Sequence, residues 1–142
     1  MHKPIQFPGG DVDETIKITQ VNRTGSATVA GGVYVRDLLQ SASESTSPTA
    51  GRGNIVAAAT SNLAMPPVVA LGPVADDATG LFVVKGPCNA RVNGSVSIGD
   101  YLKTVNGKDY FEACGFADGS TEVALAIALE ANTSGEGTIE VL

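Results

Sequence analysis

The sequence predicts an all-β protein: a compact β-barrel or β-sandwich of short antiparallel strands, with an extended N-terminal arm and a long mobile loop. Three observations carry this. The apolar runs are of strand length rather than helix length. Between them fall turn residues, 17 Gly and 7 Pro in 142 residues, which favours many short elements over a few long helices. Aromatic residues make up only 5% of the chain and Trp is absent, so the core has to be built from Val, Ile, Leu and Ala. A chain of this length reads as one domain that buries about two thirds of its unfolded surface.

Residues 1–14, "MHKPIQFPGGDVDE", carry two prolines, Gly9-Gly10 and several acids, and read as an arm that cannot fold alone. A single β domain then spans 15–142. In "TIKITQVN", Ile16 and Ile18 alternate with Lys17 and Thr19. Thr24-Gly25 turns the chain and "SATVAGGVYVRDL" supplies a second strand region broken by Gly31-Gly32, so a hairpin is expected over about 15–36. Residues 37–54, ending in "QSASESTSPTAGRGN", form the long loop, with a short helix in "VRDLLQSA" left open. "NIVAAAT", "PPVVALGPV" and "GLFVVKG" follow as strands bounded by turn residues. Asn93-Gly94 and Asn106-Gly107 are turn signals, the second between "DYLKTV" and "KDYFEA", where a hairpin is predicted.

The closing segment "EVALAIALEA" has helix-forming composition but strand periodicity: Val123, Leu125, Ile127 and Leu129 alternate with Ala124, Ala126 and Ala128. Turns at "ADGS" and "NTSGEG" leave about ten residues between them, short for a helix. The reading is a strand with its large side chains, Leu129 included, on the core, and with "TIEVL" returning as its hairpin partner. Roughly eight to ten strands result.

Catalytic chemistry is hard to assemble from these residues. The only histidine, His2, lies in the arm, so neither a Ser-His-Asp nor a Cys-His site has a base. Cys88 and Cys114 read as free, mostly buried thiols, with a disulfide or a reactive thiol as alternatives. Zinc lacks ligands, and the calcium-loop spacing of acids is missing. "GRGNIV" has Val56 where a dinucleotide loop needs its third Gly. Glu112, Glu122 and Glu130 read as a solvated strand face rather than a carboxylate pair. Sugar binding is disfavoured by the scarcity of aromatic platforms. The expectation is a protein that is not an enzyme and uses no cofactor or metal.

The charge is -6, with seven carboxylates and no Lys or Arg from Asp109 onward. That argues against binding nucleic acid and keeps copies apart at long range. No apolar run reaches the roughly 18–20 residues of a membrane span, and no signal peptide is visible. The expectation is therefore a chain made in the cytoplasm without export, for which the three Asn-x-Ser/Thr sites carry no meaning.

From Gly94 onward the sequence resembles the closing module of small capsid decoration (cement) proteins of tailed bacteriophages. These carry Gly-x-Val-x-x-Gly-Asp-x-Leu, an Ala-Leu-Glu strand, a Ser-Gly-x-Gly turn and a final Ile-x-Val-Leu. The matching residues are Gly94, Val96, Gly99, Asp100, Leu102, Ala128, Leu129, Glu130, Ser134, Gly135, Gly137, Ile139, Val141 and Leu142. The likeness covers about 66–142, extends loosely to 15–36 and departs over 37–65. It implies an all-β virion protein on the capsid exterior of a phage, made in the bacterial host, binding the major capsid protein, commonly as a trimer. The alternative is a module of a phage tail, baseplate or fibre. The arm residues Lys3, Pro4, Ile5, Gln6, Phe7 and Pro8 are the candidate partner contacts, because an extended stretch with Ile5 and Phe7 can add a strand to a neighbour's sheet edge; the other reading of this stretch is a disordered terminus. The Ser/Thr-rich loop at 40–54 is a weaker candidate.

Overall fold

A computed structural model describes residues 15–36, 53–59, 63, 65–115 and 122–142. Among them are ten strands and no helix: β1 (Ile16–Asn22), β2 (Val33–Arg36), β3 (Asn54–Val56), β4 (Pro67–Ala70), β5 (Thr79–Lys85), β6 (Cys88–Asn93), β7 (Tyr101–Thr104), β8 (Phe111–Ala113), β9 (Ala126–Ile127) and β10 (Glu136–Val141). The fold is all-β. Strands β1-β3-β2-β4-β5 close into a barrel, and β10-β6-β8-β7-β9 form a second sheet. A bridge from Ala128 to Val141 ties the two outer strands of that sheet together.

Two contacts depart from the expected antiparallel pattern: β1 with β3, and β6 with β8, are parallel. Ring closure explains both. Strand direction flips at every antiparallel contact, so a closed circuit of five strands must contain an odd number of parallel contacts. The barrel is such a circuit, and the Ala128–Val141 bridge, itself antiparallel, makes the second sheet another.

The runs "VYV", "VVA" and "FVV" are apolar on both parities because barrel strands β2, β4 and β5 serve two cores. Tyr34, Val68, Ala70 and Phe82 point inward, where they meet Ile55 of β3. Val33, Val69 and Val83 pair across the same strands and point outward. They pack against Val92, Leu102, Phe111, Ile139 and Val141 of the second sheet. Backbone bonds stitch this seam: Arg91 N–H donates to the Gly31 carbonyl at 2.8 Å, and Val33 N–H to the Asp109 carbonyl at 2.9 Å. Gly31 holds φ +76°, a left-handed conformation that other residues adopt at a cost, and its own N–H donates to the Ala70 carbonyl.

The hairpin expected over 15–36 does not form, because β3 lies between β1 and β2. The intervening residues are organised by Asn22, which is fully buried. Its Nδ2 donates to the carbonyls of Ser26 (2.7 Å) and Val74 (2.8 Å). Its Oδ1 accepts from the N–H (2.9 Å) and Oγ1 (2.7 Å) of Thr24. With its amide committed four times over, Asn22 carries the chain across to the β4–β5 connection instead of back along β1. The hairpin predicted around Asn106-Gly107 is present: Leu102 pairs with Ala113 and Thr104 with Phe111, with Gly107 at φ +73°. Asn54, the last residue of the expected long loop, begins β3; 37–52 lie outside the described residues, as does the open helix in "VRDLLQSA" beyond Arg36.

The closing segment is extended, but its parity is reversed at the end. Ala128 is fully buried, whereas Leu129 is 36% exposed and Val123 is exposed too. Ala126 faces Leu102 on the inner side, so Ile127 faces outward with Tyr101. Residues 138–142 do return beside this segment: Ile127 and Leu142 exchange N–H···O bonds of 3.1 and 2.9 Å, and Leu129 N–H donates to the Glu140 carbonyl. The longer partner of β10, however, is β6.

Candidate functional site

Most of the carboxylates among the described residues are held in hydrogen bonds or ion pairs. Arg91, on β6, reaches Asp109 at 2.6 Å and also Glu136. Lys103 binds Glu122, whose other oxygen accepts from Gly115 N–H at 2.6 Å. Asp76 accepts from Gly25 N–H, Asp77 pairs with Arg23, and Asp100 accepts from Ser97 N–H. Glu112 takes Asn93 Nδ2, and Glu130 accepts from Glu140 N–H. Each of these carboxylates closes a turn or ties two segments of chain together, as acids at turns do. No group of three or more metal-ligating side chains occurs among the described residues.

Both thiols are free. Burial pushes the Cys88 thiol up to about 11, helped by the negative charge of Glu140. Burial also raises Cys114, against the opposing charge of Lys103. A thiol raised in this way is protonated at neutral pH and a poor nucleophile. The arm candidates Lys3, Pro4, Ile5, Gln6, Phe7 and Pro8, like His2, lie outside the described residues, as does most of the Ser/Thr-rich loop.

Two surface features remain. A cleft of about 530 Å³ runs between the barrel and the second sheet, lined by Lys17, Gly31, Leu71, Cys88, Asn89 and Thr138 among others. Its polar side chains are Lys17, Asn89, Thr138, the protonated Cys88 thiol and Thr15, whose hydroxyl already donates to the Pro87 carbonyl; the charged group among them is one lysine. The other is an apolar band on the outer face of the second sheet. Tyr101 of β7 lies opposite Ile127 of β9, and Ile127 lies opposite Leu142 at the end of β10. Tyr101 is 52% exposed and Leu142 53%. Leu129 continues the row, and Ile98, 71% exposed, precedes the Gly99 N–H that donates to the Ala128 carbonyl.

Sequence reasoning missed this band because it assigned Ile127 and Leu129 to the core. Large residues alternating with alanine fit either orientation of a strand. What decides is the register with the neighbouring strand: Ala126 pairs with the fully buried Leu102, which puts Ile127 on the outer face with Tyr101.

No protein-family model matches the chain, and no curated protein matches it. No helix among the described residues is long and apolar enough to cross a membrane. Among solved structures the chain is similar to one described as the head fiber gp8.5 N base in bacteriophage phi29, with a TM-score of 0.53 and 14% identity. The match covers 90% of this chain and 92% of that one, so the two share the all-β fold over nearly their whole lengths.

Proposed function

We propose that this chain is a structural protein of a bacteriophage virion that binds the outer surface of the capsid and stabilises contacts between major capsid subunits. The observation that supports this best is the fold shared over 90% of the chain with the base of a phage head fibre. The closing residues Gly94–Leu142, which resemble those of capsid decoration proteins, point the same way. In this reading the partners are the major capsid protein and further copies of the chain, with a trimer favoured, and neither nucleic acid nor membrane takes part. The role is one of binding without catalysis, consistent with thiols held protonated and carboxylates spent on turns.

Cementing works by multivalency. An oligomer whose copies touch several shell subunits at once turns later contacts into intramolecular ones, so modest individual contacts add to firm attachment.

The same neighbour, being the base of a fibre, supports a second reading: a fibre, tail or baseplate module. Electron microscopy of purified particles carrying a labelled version of the chain separates the two. Label spread over the head lattice agrees with the first reading. Label confined to the tail, or to a few projecting fibres, rejects it in favour of the second.

A further inference from the structure

The outer face of the second sheet divides into two halves of opposite chemistry. One half is polar and internally paired: Arg91 with Asp109 and Glu136, Lys103 with Glu122, Asn93 with Glu112. The other is the apolar band of Tyr101, Ile127 and Leu142 with Leu129 and Ile98. Contiguous apolar surface with a polar rim marks interaction sites on soluble proteins. We infer that this band is a docking surface for a shell protein whose complementary patch has an apolar centre bordered by Lys or Arg. The inference rests on the capsid-binding reading and adds to it the face that makes contact.

The charge distribution selects the occupant. Glu140 lies opposite Leu129 on this face, the Glu130 carboxylate reaches the Glu140 N–H, and Asp100, just before β7, holds its carboxylate on the Ser97 N–H at the same end of the sheet. None of these three carboxylates is ion-paired with a base among the described residues. The bases on this face, Arg91 and Lys103, are already held by carboxylates. A second copy docking by two-fold symmetry would bring this acidic rim against itself, and a copy in a ring such as a trimer would meet it with another surface of a chain of net charge -6. A partner with basic side chains around an apolar centre satisfies both halves of the contact. Apolar side chains at the centre of such a contact dominate its affinity, and the charged rim sets its approach rate and salt dependence.

The test uses full-length protein and empty shells of the phage that encodes it, with binding measured by co-sedimentation. The variants are Ile98→Ser with Leu142→Asn in the band, Glu140→Lys on the rim, and Leu81→Ser as control. Leu81 is 51% exposed on the outer face of the barrel, so it matches the band in apolar exposure but not in position. The double variant should bind roughly tenfold to a hundredfold more weakly. Glu140→Lys should slow association and flatten the salt dependence, and Leu81→Ser should bind as the unmodified chain does. Urea unfolding of each variant confirms that it is folded. Unmodified protein that ignores shells overturns the capsid-binding reading itself. Unmodified protein that binds, with a folded double variant binding equally well, overturns this inference alone. A loss of oligomer mass on sedimentation of the double variant makes the occupant a second copy and also overturns it.

Discussion

Leu102→Ala and Leu129→Ala remove the same atoms from neighbouring segments, β7 and the residues just after β9, yet should differ several-fold in cost. Leu102 has no exposure and packs in the seam core with Phe111 and Val92. Truncation there loses three methylene-sized groups, about 2.4 kcal/mol of transfer free energy at about 0.8 kcal/mol each. Incomplete collapse around the void adds about 1 kcal/mol. A total of about 3–4 kcal/mol corresponds to a fall of roughly 10 °C in melting temperature for a chain of this size. Leu129 is 36% exposed and faces outward beside Glu140, so its truncation should cost less than about 1 kcal/mol. Urea unfolding followed by far-ultraviolet circular dichroism reads both, and the midpoint should move without a change in slope. If Leu129→Ala is as damaging as Leu102→Ala, the inward position of Ala128 and the outward apolar band are both wrong.

The remaining predictions concern the barrel end, the thiols and the arm. Asn22→Ala removes a fully buried amide and all four of its hydrogen bonds, to the Ser26 and Val74 carbonyls and from Thr24, and should cost about 3 kcal/mol in urea unfolding. Cys88 should react with a maleimide at pH 7.5 far more slowly in the native chain than in urea, because its raised pKa leaves little thiolate. The same shift fixes a pH dependence. The folded state holds the thiol proton more tightly than the unfolded one, so this contribution to stability is complete below about pH 9 and is lost as pH rises through about 11. A Cys88→Ala variant should lack that alkaline loss in urea titrations. Deleting residues 1–12 should leave the circular-dichroism spectrum and melting temperature unchanged while weakening attachment to shells; unchanged affinity would remove Lys3–Pro8 from the contact.

Strand content was legible because Gly, Pro and Asn-Gly pairs cut the chain into strand-length pieces, and the described residues form ten strands where roughly eight to ten were expected. Partnership was less legible. Thr24-Gly25 looks like a hairpin turn, but the side chain of Asn22 binds Ser26 and Val74 and directs the chain elsewhere. Nothing local to β1 announces that β3, more than thirty residues on, will lie beside it. The doubly buried runs around Val33, Val69 and Val83 could be read as core, yet two cores share them, which only the paired register reveals. The apolar band was hidden for a related reason: alternation fixes which residues share a face, and only the neighbouring strand decides which face is inside.

The proposed capsid-stabilising role is tested most directly by heating empty phage shells, from the phage in whose genome the sequence occurs, with and without saturating amounts of the purified chain, following their dissociation by light scattering. Bound protein should raise the dissociation temperature, with the effect levelling off at a fixed ratio of copies to shell subunits. Shells that come apart at the same temperature with the protein bound would contradict the role.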